Sequence, residues 1–460
     1  MNFNYLPHTD TDRQEMLKAI GVPDSDALYH AVPASLRNFQ LDIPKGRSEW
    51  EVQEHVTSLA AKNRSTSQFA SFLGAGSYRR YLPAAVDWIL HRSEFLTAYT
   101  PYQPEVSQGT LQAIFEFQTM ICELTGMDVA NASMYDASTA TPEAAFMACR
   151  VTRREKVIIA STVHPEYREV LDTYAKGPGI EVVTAPQKDG KIDLDALKDL
   201  VDTQTACVIL QMPNFLGTLE EAHAIGELVH ASGGLLVVVA DPVSLGLLEA
   251  PGRYGADIVI GEAHQLGNGA SFGGPYVGFM ACKDKFIRQL PGRIAGETKD
   301  ANGQRVFTLT LQTREQHIRR EKATSNICTN QALNALAATV YMTVVGKRGL
   351  YEVAHTSLQR AHALARAIAK VPGFVVPFGP HFNEFVVKSP VPVADLLERL
   401  KAQGILGGVA LGRWYPELAD CLLVSVTEVN SPADLERYAK ALEAVVSAPR
   451  STERPSATHA

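Results

Sequence analysis

Residues 206 to 242 read ACVILQMPNFLGTLEEAHAIGELVHASGGLLVVVADP. Two unbroken apolar runs, 206–210 and 235–240, flank a segment whose apolar residues recur at helical spacing. A run that is apolar throughout, rather than alternating, is what a strand buried on both faces of a parallel sheet requires. The spacing therefore predicts strand, helix and strand at 206–211, 222–231 and 235–240. The same rhythm extends outward. Strands are expected at 156–160, 181–184, 257–260 and 276–281, with helices at 166–174 and 194–201. Alternation of this kind predicts a doubly wound α/β domain with a mainly parallel sheet.

Upstream, a long amphipathic helix is expected from Ser107 to Thr125, closed by Gly126. Residues 63–78 are rich in Ser and Gly and end in Gly74-Ala75-Gly76-Ser77-Tyr78. No β-branched strand precedes this Gly-x-Gly, so it does not read as a dinucleotide loop. The first 60 residues are polar and helical in pattern. His8-Thr9-Asp10-Thr11-Asp12 offers a cap for a helix that Gly21 stops. Beyond residue 325 the rhythm changes. Helices are expected at 330–345, 351–369, 393–402 and 432–446, and short strands at 374–376, 384–387 and 422–426. The expected organisation is a helical arm (1–62), a large α/β domain (63–325), a smaller α+β domain (326–446) and a disordered Ser/Thr/Pro/Arg-rich tail (447–460). Two or three domains is also what a chain of 460 residues suggests.

The bulk composition narrows the function class. With 43 Lys+Arg against 50 Asp+Glu the formal net charge is -7, and there is no basic tract. Nucleic acid is therefore not expected as a partner. The longest apolar run is far short of the roughly 20 residues that span a bilayer, so no membrane association is expected. The start, MNFNYLPHTDTDRQEM, has neither the pattern of a secretory signal nor that of a transit peptide. The six cysteines (122, 149, 207, 282, 328 and 421) form no close ligand pair. No metal site is expected, and buried thiols in a reducing cytoplasm are the reading they support.

Several constellations can carry chemistry. In Tyr135-Asp136-Ala137-Ser138-Thr139-Ala140-Thr141-Pro142-Glu143, small and hydroxyl residues precede a helix, with Thr141 as cap and Pro142 at the first helical position. The free N–H groups of such a helix start suit a phosphate. A plain capped helix is the simpler reading. His164 follows strand 156–160, where its ring faces the crevice of an α/β sheet and can stack on a cofactor. Local hydrogen bonding at a helix start is its alternative role. Asp241 follows strand 235–240, and a carboxylate there can hold a protonated pyridine nitrogen or simply start a turn.

In this order the three resemble the frame of fold type I pyridoxal phosphate (PLP) proteins: phosphate loop, stacking ring, pyridinium carboxylate. That frame also needs a Schiff-base lysine after the next strand. The sequence there is Gly261-Glu262-Ala263-His264-Gln265-Leu266-Gly267-Asn268, and residues 199–282 contain no lysine at all. Lys198 and Lys283 bracket the gap, and Lys283 or Lys285 would have to serve an autonomous PLP enzyme. The phosphate loop has alanines, at 137 and 140, where a close approach favours glycine.

Two further segments stand out. Tyr99-Thr100-Pro101-Tyr102-Gln103-Pro104-Glu105-Val106-Ser107-Gln108-Gly109 is rigid, polar and aromatic. Tyr99, Tyr102, Gln103 and Glu105 suit a polar ligand or a neighbouring subunit. Residues 290–334 carry Arg293, Arg305, Arg314, Arg319 and Arg320 among Glu, Thr and Asn, and most of this charge is expected on a solvated or inter-subunit ion-pair surface.

Nearly the whole chain, from Tyr5-Leu6-Pro7-His8-Thr9 to Leu423-Val424-Ser425-Val426-Thr427-Glu428, resembles the P-proteins of the glycine cleavage system. Its most specific pieces are 99–109, 131–136, 291–298 and 311–334. It is similar to the alpha chains of P-proteins split into two homologous subunits. The resemblance implies a fold type I PLP-dependent transferase-like architecture. It implies an alpha2beta2 assembly in which a beta subunit carries the PLP lysine. Glycine would be decarboxylated with release of CO2, and the aminomethyl group passed to the lipoyl arm of the H-protein. It implies a cofactor frame in this chain that is vestigial at Ser138, Thr139, His164 and Asp241, and no single catalytic residue here. Tyr99, Tyr102, Gln103 and Glu105 would lie at or near a subunit interface. A non-catalytic scaffold or regulatory pseudoenzyme of the same fold is the alternative.

Overall fold

A computed structural model describes residues 7–37 and 42–447; the expected tail from 448 onward, and residues 1–6 and 38–41 of the arm, lie outside them. Contacts divide the chain into two compact units, residues 1–64 and 65–460. The first holds helices α1 (Asp10–Ile20) and α2 (Glu49–Ala60). Thr9 caps α1 through a reciprocal pair with Asp12, and Gly21 ends it in the left-handed region. Ser48 and Glu51 make the same pair on α2, and neither helix buries a residue.

The second unit contains α3 (Gln108–Thr125), β1 (Val129–Ala130), α4 (Ala137–Thr152), β2 (Lys156–Ala160), α5 (Pro165–Ala175), β3 (Glu181–Ala185), α6 (Leu194–Leu200), β4 (Thr205–Met212), α7 (Ala222–Ala231), β5 (Leu235–Ala240), β6 (Ile258–Glu262) and β7 (Gly278–Cys282). The seven strands form one sheet in the order β1-β7-β6-β5-β4-β2-β3. β2 to β6 run parallel to one another, and β7 runs antiparallel to both of its partners, β6 and β1. The physical reason lies in the connection. Residues 263–277 form no helix that could carry the chain back across the sheet, so β7 returns beside β6 in the opposite direction. β4 and β5 are buried almost throughout because helices cover both faces. Their Val, Ile and Leu side chains form the centre of the main core.

A hairpin follows, β8 (Ile294–Lys299) with β9 (Arg305–Thr310). The expected helices at 330–345 and 351–369 are the two halves of α8 (Ala332–Ile368), interrupted at Gly346, whose φ of 59° and ψ of -177° are not helical. The remaining elements are β10 (Glu384–Lys388), α9 (Val393–Ala402), β11 (Ile405–Leu406), β12 (Val409–Ala410), β13 (Cys421–Ser425) and α10 (Pro432–Ser447). β10, β13 and β12 form an antiparallel sheet. Residues 374–376 are not a strand as expected. Val375 alone bridges to Lys388, and its side chain is exposed while Phe374 is buried.

A second core lies here, built on Leu364, Phe385, Val424 and Tyr438. Ala70 and Phe72 join it, and the short strand Ala70–Ser71 pairs in parallel with β11. The chain therefore leaves the second core at Phe72 and runs toward the large sheet as the loop 73–81. Among the described residues no helix is long and apolar enough to cross a membrane.

Candidate functional site

The carboxyl ends of β2, β4, β5 and β6 share one edge of the sheet. The chain steps outward from β2 to β3 on one side and then to β4 on the other. Such a reversal opens a crevice in which α/β sheets bind ligands. His164 and Asp241 stand on this edge, directly after β2 and β5.

His164 is buried. Its Nδ1 accepts from the Glu166 amide at 3.2 Å, and its Nε2 lies 2.9 Å from the Ala75 carbonyl. The neutral ring protonated on Nε2 satisfies both partners. Burial holds its pKa below the ordinary histidine range, which agrees with that neutral form. One face of the ring stacks on Tyr167 at 4.5 Å, and Phe215 meets it edge-on at 4.8 Å. Asp241 accepts from the amides of Val243 (2.8 Å) and Ser244 (3.2 Å), so its carboxylate starts the turn after β5.

The loop 73–81 enters this edge and is tied down on every side. The Ala75 amide donates to Glu384 Oε1 at 2.7 Å, and the Tyr78 hydroxyl donates to Glu384 Oε2 at 2.6 Å. The Tyr78 amide donates to His264 Nε2 at 3.2 Å. The His264 ring stacks on Tyr276 at 4.5 Å, and the Ser77 and Tyr276 hydroxyls lie 2.7 Å apart. A Cβ at Gly76 would come within 3.0 Å of His164 Nε2, so the loop passes against that ring. Arg80 is buried. It donates to Gln265 Oε1 through Nε (3.0 Å) and Nη2 (2.8 Å), and through Nη1 to Ser357 (3.0 Å) and Glu428 (2.7 Å).

The start of α4 differs from the expected one. Asp136, not Thr141, is the cap, and Pro142 lies inside the helix. Asp136 Oδ1 accepts from the Thr139 amide (2.7 Å), Ser138 Oγ (2.6 Å) and Thr139 Oγ1 (3.0 Å). The Ala137 amide donates at 3.1 Å to Glu262, the last residue of β6. Glu262 also accepts from the His264 and Val277 amides, both at 3.1 Å. Two carboxyl groups of the chain thus occupy the start of this helix, with Ser138 and Thr139 engaged by one of them.

The bracketing lysines point elsewhere. β7 is antiparallel, so Lys283 emerges at the opposite edge of the sheet and pairs with Asp257, just before β6, at 2.9 Å. Lys285 lies over the Phe286 ring at 4.7 Å. Lys198 pairs with Asp195 on the surface.

Tyr99, Tyr102, Gln103 and Glu105 are all exposed, Tyr99 by 77% and Tyr102 by 51%. Tyr102 meets not the crevice residues but Arg293 and His317 of the Arg-rich segment. Of its arginines, 305, 319 and 320 are exposed as expected, while Arg293 and Arg314 are buried. Both buried guanidiniums bond main-chain carbonyls: Arg314 those of Leu290, Gly292 and Leu311, Arg293 that of Cys328. No local pattern singles out these two or Arg80, Glu262 and Glu384. The one hint is Glu262-Ala263-His264, a polar run directly after a buried strand.

Burial pushes the Glu262 carboxyl up to about 8, against the three amides that hold it down, and Glu384 up to about 7. Burial brings His264 and His381 down to about 4. The acids hold their protons in the folded state above the ordinary value of 4.5, so the stability they contribute is lost as pH rises through 7 and 8. The histidines contribute stability that is lost only as pH falls below 6.5. Between about pH 6.5 and 8.5 the carboxyl effect dominates, the buried thiols adding a smaller loss of the same sign near the upper end, and the expected decline is about 2–3 kcal/mol. Urea midpoints at the two pH values measure it. Glu384→Gln, which can keep both the Ala75 and Tyr78 bonds, should shrink the decline. Equal wild-type midpoints would refute the assignment.

The model of the family "Glycine cleavage system P-protein" matches residues 3–442. A protein of Desulfitobacterium hafniense named "probable glycine dehydrogenase (decarboxylating) subunit 1" is 52% identical over 436 residues, which cover 94% of this chain and 98% of that one. A Bacillus subtilis protein of the same name is also 52% identical, covering 95% and 98%. Among solved structures, a glycine decarboxylase (P-protein) of the glycine cleavage system in inhibitor-bound form superposes with a TM-score of 0.89 at 43% identity, covering 96% of this chain and all of that one. A Burkholderia pseudomallei sphingosine-1-phosphate lyase shares the fold alone, with a TM-score of 0.66 at 16% identity over 90% and 94% of the two chains.

Proposed function

Because the chain belongs to the glycine cleavage system P-protein family, we propose that it is the subunit of a two-chain glycine decarboxylase that bears no Schiff-base lysine. Its partner is a homologous second subunit that holds PLP, in an alpha2beta2 assembly. The pair decarboxylates glycine and passes the aminomethyl group to the lipoyl arm of the H-protein, in the cytoplasm.

The observation that carries this reading is the closed crevice. PLP does not fit the residues of this chain. The helix start that would take its phosphate is met by Asp136 and Glu262. The ring of His164 rests on Tyr167, and Tyr78 occupies the edge between Glu384 and His264. Lys283 lies at the far edge of the sheet. What this chain brings to the assembly is the exposed segment 99–106, which we place against the partner, with Tyr99, Tyr102, Gln103 and Glu105 facing the shared site.

Reconstitution tests the reading. The purified chain should show no visible cofactor absorbance and, after borohydride reduction, no pyridoxyl-lysine. The second subunit alone should fail at glycine–bicarbonate exchange, and adding this chain should restore it. Full exchange by the second subunit alone would leave a scaffold or regulatory role. A pyridoxyl-lysine on this chain would make it an autonomous enzyme.

A further inference from the structure

The side chains of Tyr99, Tyr102, Gln103 and Glu105 are exposed, yet the segment 99–106 is held from behind, at the Pro104 carbonyl by Gln108 Nε2 (2.8 Å) and at the Tyr102 side chain. Arg293 Nη2 donates to the Tyr102 hydroxyl at 3.1 Å, and its guanidinium stands 5.5 Å from the centre of the Tyr102 ring. Among the described residues this is the one hydrogen bond made by a side chain of residues 99–106. Arg293 is itself 6% exposed and immobilised. Nη2 also donates to the Cys328 carbonyl at 2.7 Å and Nη1 to Thr329 Oγ1 at 3.3 Å, while Glu315 faces Nε at 3.7 Å. His317 meets the Tyr102 ring edge-on at 6.1 Å. The backbone of Arg293 is fixed as well, its carbonyl accepting from the Ala132 amide at 2.8 Å.

We infer that Arg293 is the positioning residue that sets Tyr102 for the reaction, an inference that rests on the reading of Tyr102 as facing the shared site. A guanidinium is a donor only and stays charged at any working pH. It therefore always fills an acceptor position of the phenol oxygen and leaves the phenol's own proton for an acceptor outside this chain. A buried, four-way anchor fixes that direction before the partner or substrate arrives, and misplacement by even about 1 Å can cost a hundredfold in rate. Lysine cannot replace it, because one ammonium cannot span Tyr102, Cys328, Thr329 and Glu315 together.

The test uses the complex reconstituted with the second subunit and H-protein. Glycine–bicarbonate exchange is measured for Arg293→Lys, Tyr102→Phe and the double variant. Each single change should lower kcat about tenfold or more while KM for glycine stays within about twofold. The double variant should be no worse than the weaker single, because both remove one contact. Effects that multiply, or full activity of Arg293→Lys beside an impaired Tyr102→Phe, overturn the inference. Tyr102→Phe alters an exposed ring and supplies a second measurement should Arg293→Lys fail to assemble. Amide hydrogen exchange across 99–106 should rise in it, and unchanged protection overturns the inference. Full activity in both variants with a loosened segment refutes instead the reading of Tyr102 and leaves the anchor standing.

Discussion

Replacing Arg80 by methionine is expected to cost the folded chain about 3–5 kcal/mol, read as a fall in urea midpoint at pH 7. The side chain is 1% exposed and pairs with Glu428, itself 12% exposed, at 2.7 Å. Methionine keeps much of the volume but leaves the Glu428 carboxylate buried without its counter-charge. The Ser357 hydroxyl and the Gln265 amide oxygen lose their donor at the same stroke. Residual support for Glu428 comes from the Tyr81 amide at 2.8 Å and places the loss below that of a wholly orphaned ion. Arg80→Lys should recover less than half of it, because three acceptors in different directions need the guanidinium fork. A midpoint for Arg80→Met within about 1 kcal/mol of wild type would show that the loop 73–81 is not held by this residue.

The loop matters because it joins chain segments that local pattern cannot connect. Glu384 and Glu428 reach Tyr78 and Arg80 across sequence separations of 306 and 348 residues. A reading of periodicity finds strands such as Lys156–Ala160 and Leu235–Ala240 with their observed bounds, because an unbroken apolar run admits few other structures. It also places His164 and Asp241 at the crevice, since parallel strands taken in order bring their carboxyl ends to one edge. It does not say whether the crevice is open. That depends on Gly74–Tyr78, which reads locally as a polar turn-rich loop.

The two buried arginines were hidden for a related reason. A run such as 311–322 has the composition of a solvated surface, and Arg305, Arg319 and Arg320 obey it. Arg293 and Arg314 depart from it because buried main-chain carbonyls converge on their guanidiniums. At the start of α4 several residues have the chemistry of a cap. Asp136, Ser138, Thr139 and Thr141 can all accept from a helix amide, and only the alanines at 137, 140, 144, 145 and 148, all buried, mark where the helical face begins. The acid that precedes this face, rather than the Thr before Pro142, is the cap.

A single methyl group at Gly217 is expected to destabilise the chain by about 3–5 kcal/mol, through the same junction that orients Glu384. Gly217 follows β4 in the turn Asn214–Thr218 and has a φ of +84°, in the left-handed region that a Cβ disfavours. That term alone is about 1 kcal/mol. The larger part is steric. A Cβ built there would overlap the carbonyl of Glu384 and stand 3.1 Å from the Phe385 amide, both of them backbone atoms of β10. No side chain can swing away to relieve it. The contact is also bonded, with the Phe382 amide donating to the Gly217 carbonyl at 3.2 Å and Thr218 bridging to His381. Alanine therefore has to push β10 away from the turn and carry Glu384 off Ala75 and Tyr78. Two readouts should move together in Gly217→Ala: the urea midpoint, and the protection of the Ala75 amide from hydrogen exchange, which depends on Glu384 Oε1. A lowered midpoint with Ala75 still protected would mean that the strain relaxes elsewhere and that the crevice loop is held without Glu384.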